Sequence, residues 1–511
     1  MTETVLRLSG ISKRFGPVIA NEAISLELRR GELLALLGEN GAGKTTLMSI
    51  LFGHYTADEG EIEVAGRPLP PGRPRAAIDA GIGMVHQHFS LADNLTVLEN
   101  VMTGTEPPWR LRANRSAARR KLLAIAERFG LRVDPGRRVG DLSVGEQQRV
   151  EILKALYNDA RVLILDEPTA VLTEQEAERL YATLRMMARE GLSLIFISHK
   201  LREVMAAADR IVVLRGGRSV AERLPADTSR SELAELMVGR RIARPVREAA
   251  SPGAPVIAAH GVSVRHREGT DLEGIDFTVR AGETLGIVGV AGNGQTALAR
   301  LASGLLAPEA GTLTILGRRV RQPDVAALVR AGVGRIPEDR NREGVIGELA
   351  LWENAVLERI ETERFSRRGI VDRGAARRFT QEIIDRFDVR GGGPDHRTSL
   401  LSGGNMQKLI LGRSLIDGPS LLIAAQPTRG LDEGAIAAIH TRLLAARAEG
   451  AAVLLISEDL DEVIALADRV QAIAGGRLSP SIDGAAADAR RLGLMMAGDW
   501  SAAGAAVADA D

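Results

Sequence analysis

The chain has 511 residues, 45% of them hydrophobic, and its 66 basic side chains balance 66 acidic ones. That length holds two or more domains, and the even charge speaks against nucleic acid as a partner, which calls for a basic excess or face. There is no cysteine, so disulfides and thiolate-bound zinc are excluded and a reducing compartment fits.

Met1-Thr-Glu-Thr-Val has neither the basic nor the apolar stretch of a signal peptide. Apolar runs such as Leu192–Ile197 fall far short of the ~20 residues a membrane helix needs. No bilayer span is predicted.

Leu33–Leu37 is apolar throughout and reads as a parallel strand buried on both faces. Gly38-Glu-Asn40-Gly41-Ala-Gly43-Lys44-Thr45 follows it, and a helical pattern begins near Thr46. That context is the one a phosphate-binding loop requires. Its glycines let backbone N–H groups converge on phosphate, and the helix N-terminus adds positive potential. Lys44 is expected at the β- and γ-phosphates, and the Thr45 hydroxyl on Mg²⁺. Phe15 is open to two readings, a core side chain or a platform for an adenine ring.

Further along, Gln87 lies in Met84-Val-His-Gln-His-Phe and is read as a contact to Mg²⁺ and water. Val162–Leu165 reads as a second buried strand, closed by Asp166-Glu167-Pro168. Asp166 is the expected metal ligand, and Glu167 the group that orients the attacking water. Phosphoryl transfer needs chiefly positioning and charge neutralisation, which one acid for each task supplies. Glu174–Arg189 has a helical pattern. His199 closes a third apolar strand, Leu194–Ser198, and is assigned to the γ-phosphate. Strands alternating with helices imply α/β layers, with the chemistry at the carboxyl ends of the strands.

The whole pattern then repeats. Gly31-Glu32 recurs as Gly282-Glu283 and Gly81-Ile-Gly83 as Gly332-Val-Gly334, at an offset of 251; Leu142-Ser143 recurs as Leu401-Ser402 and Pro168 as Pro427, at 259. The second copy therefore gains eight residues between Glu338 and Leu401. Expected domains are 1–240 and 256–498, joined by a Pro-rich linker at 241–255 and followed by a flexible tail, 499–511.

The second copy has lost its chemistry. Its loop is Gly289-Val-Ala-Gly292-Asn293-Gly294-Gln295-Thr296, with Gln295 in place of Lys44. Ala425 and Gln426 stand where Asp166 and Glu167 stand, Glu458 replaces His199, Glu338 replaces Gln87, and His266 replaces Phe15. An amide lacks the lysine's charge, and Ala425 cannot bind a metal.

Leu142-Ser143-Val144-Gly145-Glu146-Gln-Gln-Arg, matched by Leu401-Ser402-Gly403-Gly404-Asn405-Met-Gln-Lys, resembles the signature loop of the ATP-binding cassette (ABC) family. The resemblance spans about residues 4–495. It implies two ABC-type nucleotide-binding domains, each with a mixed or parallel sheet core and a helical subdomain, using ATP and Mg²⁺. It also implies head-to-tail pairing. Ser402, Gly403 and Gly404 would then serve the Lys44 loop, giving one hydrolytic site, while Ser143 and Gly145 would serve the degenerate second loop.

Twin cassettes without membrane spans resemble the ATPase subunits of bacterial importers of nucleosides and simple sugars. His86-Gln87-His88-Phe89 and Leu422–Asp432 are more similar to the nucleoside branch. The resemblance implies two integral-membrane permease subunits, an extracytoplasmic solute-binding protein, and a peripheral place on the cytoplasmic face of the inner membrane. A simple-sugar importer is the alternative; a soluble twin-cassette translation factor is a distant one, since such factors carry a long charged linker.

Overall fold

A computed structural model of the chain describes residues 3–86, 89–104, 114–169, 172, 174–198, 200–239, 245–249, 251–267 and 269–500. It divides into two compact units, Met1–Ile242 with Asp432–Gly434, and Ala243–Leu431 with Ala435–Asp511.

In the first unit a six-stranded sheet runs Arg218–Arg223, Arg210–Arg215, Leu33–Leu37, Ser193–Ser198, Val162–Asp166, Ile82–Val85. All neighbours are parallel except the first pair. Strand alternation sends Leu34 and Leu36 into one core with Leu47, Met48 and Leu51 of the helix Lys44–Phe52. It sends Leu33, Ala35 and Leu37 into another with Tyr181, Leu184 and Met187 of Glu174–Arg189. Each fully buried leucine contributes roughly 1.5–3 kcal/mol, so this strand is the anchor of both layers. A second, antiparallel sheet places Thr4–Phe15 between Val18–Arg29 and Glu59–Val64.

The second unit repeats this plan. Its larger sheet runs Val333–Ile336, Leu421–Ala425, Ala452–Ser457, Thr284–Val288, Arg469–Ala474, Arg477–Leu478, with Ile482–Asp483 beside Arg469–Ala474. The antiparallel sheet is Leu272–Arg280, Pro255–Val264, Ala310–Ile315 and Arg318–Val320. Both copies keep one clamp at the amino end of the loop-bearing strand. Arg210 Nε donates to Glu32 Oε1 at 2.7 Å, and Arg469 Nε to Glu283 Oε1 at 2.7 Å. The strand N–H groups of Leu33 and Thr284 each donate to a carboxylate, Asp209 and Asp468, at 2.9 Å.

Helices form the remaining lobe, Val97–Met102, Arg115–Arg128 and Val144–Tyr157 in one unit, and Leu351–Val356, Arg373–Phe387 and Gly403–Leu415 in the other. The extra residues of the second copy fall here, around a short hairpin, Ser366–Arg367 paired with Ile370–Val371. Phe365 anchors it edge-on against Phe379 at 5.1 Å. The matching stretch 105–113 lies outside the described residues.

Two boundaries differ from expectation. The strand Pro255–Val264 opens inside the stretch read as linker, because Gly253 N–H already donates to Ala281 O at 2.9 Å and Ala281 N–H to Ala254 O at 3.0 Å. Proline is tolerated as a strand's first residue. Asp499 and Trp500, read as tail, are held down: Trp500 Nε1 donates to Met495 O at 3.1 Å and its ring packs on the core.

Candidate functional site: two phosphate loops with unequal chemistry

The sheet order aligns the carboxyl ends of Leu33–Leu37, Ser193–Ser198 and Val162–Asp166, with Leu37 opposite Ser198 and Asp166 opposite Ile197. The loop after the first strand is built on close approach. A Cβ on Gly38 would lie 2.4 Å from Leu214 O, and one on Gly43 2.2 Å from Ala20 O. Gly43 also has φ 96°, a conformation glycine adopts freely. Asn21, fully buried, donates from Nδ2 to Gly43 O at 3.0 Å and fixes the loop from below.

The helix Lys44–Phe52 starts at the lysine, two residues before Thr46. Lys44 is 5% exposed, and its ammonium donates to Gly38 O at 2.7 Å and Glu39 O at 2.8 Å. Burial lowers its pKa, against the opposing pull of Glu167 and Asp166. Asp166 is also buried. Burial raises its pKa, the neighbouring Glu167 adds to the rise, and a hydrogen bond from the Thr45 hydroxyl and the charge of Lys44 oppose it. Lysine, threonine and both acids therefore share one pocket. Asn40 and Gly41 are exposed on the loop, and Thr46 is half-buried at the helix start.

Glu167 has φ 46°, and its N–H donates to Ile197 O at 3.1 Å. Phe15 is 43% exposed, which rules out the core reading; its ring meets Tyr55 edge-on at 5.3 Å. Gln87, with its neighbour His88, and His199 lie outside the described residues.

The second loop has the same backbone and different valences. Gln295, 5% exposed, donates from Nε2 to Val290 O at 2.8 Å and accepts from Asn293 N–H at 3.0 Å through Oε1. The loop glycines Gly292 and Gly294 have φ 84° and 109°, and a Cβ on Gly289 would meet Ile473 O at 2.7 Å. Thr296 Oγ1 donates to Glu338 Oε2 at 3.0 Å, and Arg429 Nη1 to Glu338 Oε1 at 2.8 Å. Gln426 repeats the backbone of Glu167, at φ 49°. Glu458 is half-buried and its pKa is raised by burial and by Glu338, against Arg429. His266 is buried and its Nε2 lies 3.1 Å from Arg300 Nη1, so it offers no open ring face like that of Phe15.

Both signature loops cap helices. Ser143 precedes Val144–Tyr157 in a capping box with Glu146, which satisfies two N–H groups at once. Gly145 follows in the first turn. Ser402 precedes Gly403–Leu415 and accepts from Asn405 N–H at 3.5 Å and from Asn405 Nδ2 at 2.9 Å. Gly404 lies in the same first turn. A Cβ on Gly403 would lie 2.9 Å from Arg340 Nη2.

Sequence reasoning passed over a support that both units share. Thr169, Tyr181 and Ser198 donate to Glu203 Oε2 at 2.6, 2.8 and 3.5 Å. Thr428 and Ser457 donate to the Glu462 carboxylate at 2.8 and 2.6 Å. Thr169, Ser198 and Glu203 recur at the repeat offset, which was the signal available. Arg429 was missed too, and no pattern in the sequence marks it.

Two α/β units that each carry a phosphate loop and a serine-capped signature helix, with the acid-bearing strand end Asp166-Glu167 kept in the first, define a twin nucleotide-binding cassette. A family model described as "ABC transporter" matches residues 21–170 and 272–429, and the chain belongs to that family. It is 45% identical to the glucose import ATP-binding protein TsgD13 of Haloferax volcanii, over 98% of this chain and 97% of that one. It is 42% identical to the nucleoside import ATP-binding protein NupA of Lactococcus lactis subsp. cremoris, over 97% and 98%. Among solved structures, the archaeal ribosome recycling factor aABCE1, in complex with the stalk protein aP1, is similar in fold, with a TM-score of 0.61 over 93% of this chain and 90% of that one, at 17% identity. Among the described residues no helix is long and apolar enough to cross a membrane.

Proposed function

We propose that this chain is the ATP-hydrolysing subunit of an ABC importer, and that it energises nucleoside uptake through separate permease subunits. The observation that carries the reading is the shared pocket of Lys44, Thr45, Asp166 and Glu167 in the first unit, set against its dismantled counterpart in the second. The identities to import ATP-binding proteins over nearly the whole chain support it.

The loop N–H groups and Lys44 bind and orient the phosphates. Glu167 orients the attacking water and accepts its proton, and His199 donates to the γ-phosphate. Phe15 stacks on the base. The first site fits a magnesium ion: Asp166 is a buried carboxylate with a raised pKa, bonded by the Thr45 hydroxyl, a donor set of the hard oxygen type that this ion takes. Thr45, Gln87 and Asp166 would hold it, and it would offset phosphate charge. The resemblance further assigns Ser402, Gly403 and Gly404 to the Lys44 nucleotide, and Ser143 and Gly145 to the other.

The partners are two permeases and a solute-binding protein, and the place is the cytoplasmic membrane face. The sequence His86-Gln87-His88-Phe89 favours nucleosides. The 45% identity to a glucose importer subunit favours a sugar as second reading. Uptake of labelled nucleosides and labelled ribose by cells with and without the gene tests the choice. Phosphate release by the purified chain tests the ATPase, and an inert wild-type protein overturns it.

A further inference from the structure

The second phosphate loop does not fit a divalent cation. Ala425 offers no ligand where Asp166 stands in the first unit. The Glu338 carboxylate is spent, one oxygen on the Thr296 hydroxyl at 3.0 Å and the other on Arg429 Nη1 at 2.8 Å. Thr296 is the counterpart of Thr45, so the ground a metal would need holds an ion pair instead. The loop itself keeps its phosphate geometry, with the glycine backbone of Gly292 and Gly294 and the helix Gln295–Ala302 behind it.

We propose that this loop takes a nucleoside di- or triphosphate as the metal-free anion, with the Arg429 guanidinium supplying the positive charge. The inference rests on reading Gly289–Thr296 as a nucleotide loop. Two further observations support it. Arg429 is 59% exposed at its side chain, so its fork can turn to a phosphate that matches it in a bidentate bond. Gln426, 7% exposed at the end of the strand Leu421–Ala425, holds a buried Nε2 with no hydrogen-bond partner, a donor whose cost is offset once an acceptor arrives.

The test uses the full chain carrying Lys44→Ala, which silences the first loop, titrated with fluorescent ADP and ATP analogues at low ionic strength. Binding is expected in EDTA, and to be weaker in magnesium, which withdraws the free nucleotide anion into its own complex. Adding Arg429→Ala is expected to weaken it at least about tenfold, the scale of one charge-assisted bond. Arg429→Lys weakens it less, and Glu338→Gln, which releases the guanidinium, strengthens it. Binding that needs magnesium, no binding at all, or an affinity indifferent to Arg429→Ala overturns the proposal. A wild-type chain unable to bind the ATP analogue in magnesium would instead overturn the cassette reading.

Discussion

Glu167 and Gln426 carry the same left-handed backbone at equivalent strand ends, φ 46° in one unit and 49° in the other. Each N–H donates to the adjacent strand, at 3.1 Å to Ile197 O and 2.8 Å to Ile456 O. Such a conformation costs a residue other than glycine about 1–3 kcal/mol. The second unit has kept the strain after losing the carboxylate.

Glutamine is therefore already at home in this geometry. Glu167→Gln is expected to leave the melting temperature unchanged while phosphate release falls about 10²–10⁴-fold, the usual weight of a general base. Retained turnover in a well-folded variant would remove Glu167 from its role. Gln426→Glu is expected to add no activity, since Gln295 and Ala425 remain.

Two loop glycines make contrasting demands. Gly41 has φ 84° with open space around its Cβ position, whereas Gly43 has φ 96° and a Cβ there would meet Ala20 O at 2.2 Å and Asn21 Nδ2 at 2.5 Å. Gly41→Ala is expected to cost about 1 kcal/mol, the strain alone. Gly43→Ala must also shift backbone, and is expected to lose about 3 kcal/mol or more together with nucleotide affinity. Denaturant melts beside equilibrium binding compare the pair; equal losses would contradict the packing.

The raised pKa of Asp166 has a defined sign. Between its ordinary value of 3.8 and its higher folded value, the native state holds a proton that the unfolded chain has released. Stability therefore falls as pH rises through that window and stays lower above it. Asp166→Asn removes the penalty, and is expected to raise the melting temperature near neutrality by about 2–4 °C for each kcal/mol regained. Its hydrolysis is lost in the same step. Melts from acid to neutral pH check this, and a variant less stable than wild type at neutral pH would reverse the sign.

The Glu462 carboxylate is 2% exposed and accepts from Thr428 and Ser457, with His440 Nε2 3.2 Å away. Glu462→Ala leaves buried hydroxyls unsatisfied and is expected to cost about 3 kcal/mol. Calorimetry measures it; a change below about 1 kcal/mol would show that the hydroxyls find other acceptors.

The strands and loops at the site were legible because they obey local rules. Leu33–Leu37 and Glu174–Arg189 fall where apolar runs and periodicity set them, and the loop follows its strand as spacing demanded. What escaped were partners brought together by the sheet order. Arg429 meets Glu338 across 91 positions of chain, and Asn21 reaches Gly43 from a strand that has no polar counterpart at Leu272. Periodicity carries no information about such meetings. The linker and tail were misjudged at their edges because Gly253 and Trp500 are held by bonds from distant or capping backbone, which composition does not reveal.

An ammonium has three hydrogens to give. Lys44 commits two of them to the carbonyls of Gly38 and Glu39, so its charge is delivered along one remaining direction, like a pin aimed by its own socket. Gln295 divides its amide between accepting from Asn293 N–H and donating to Val290 O. Exchanging the two side chains therefore changes the direction in which each loop can reach, as well as its charge.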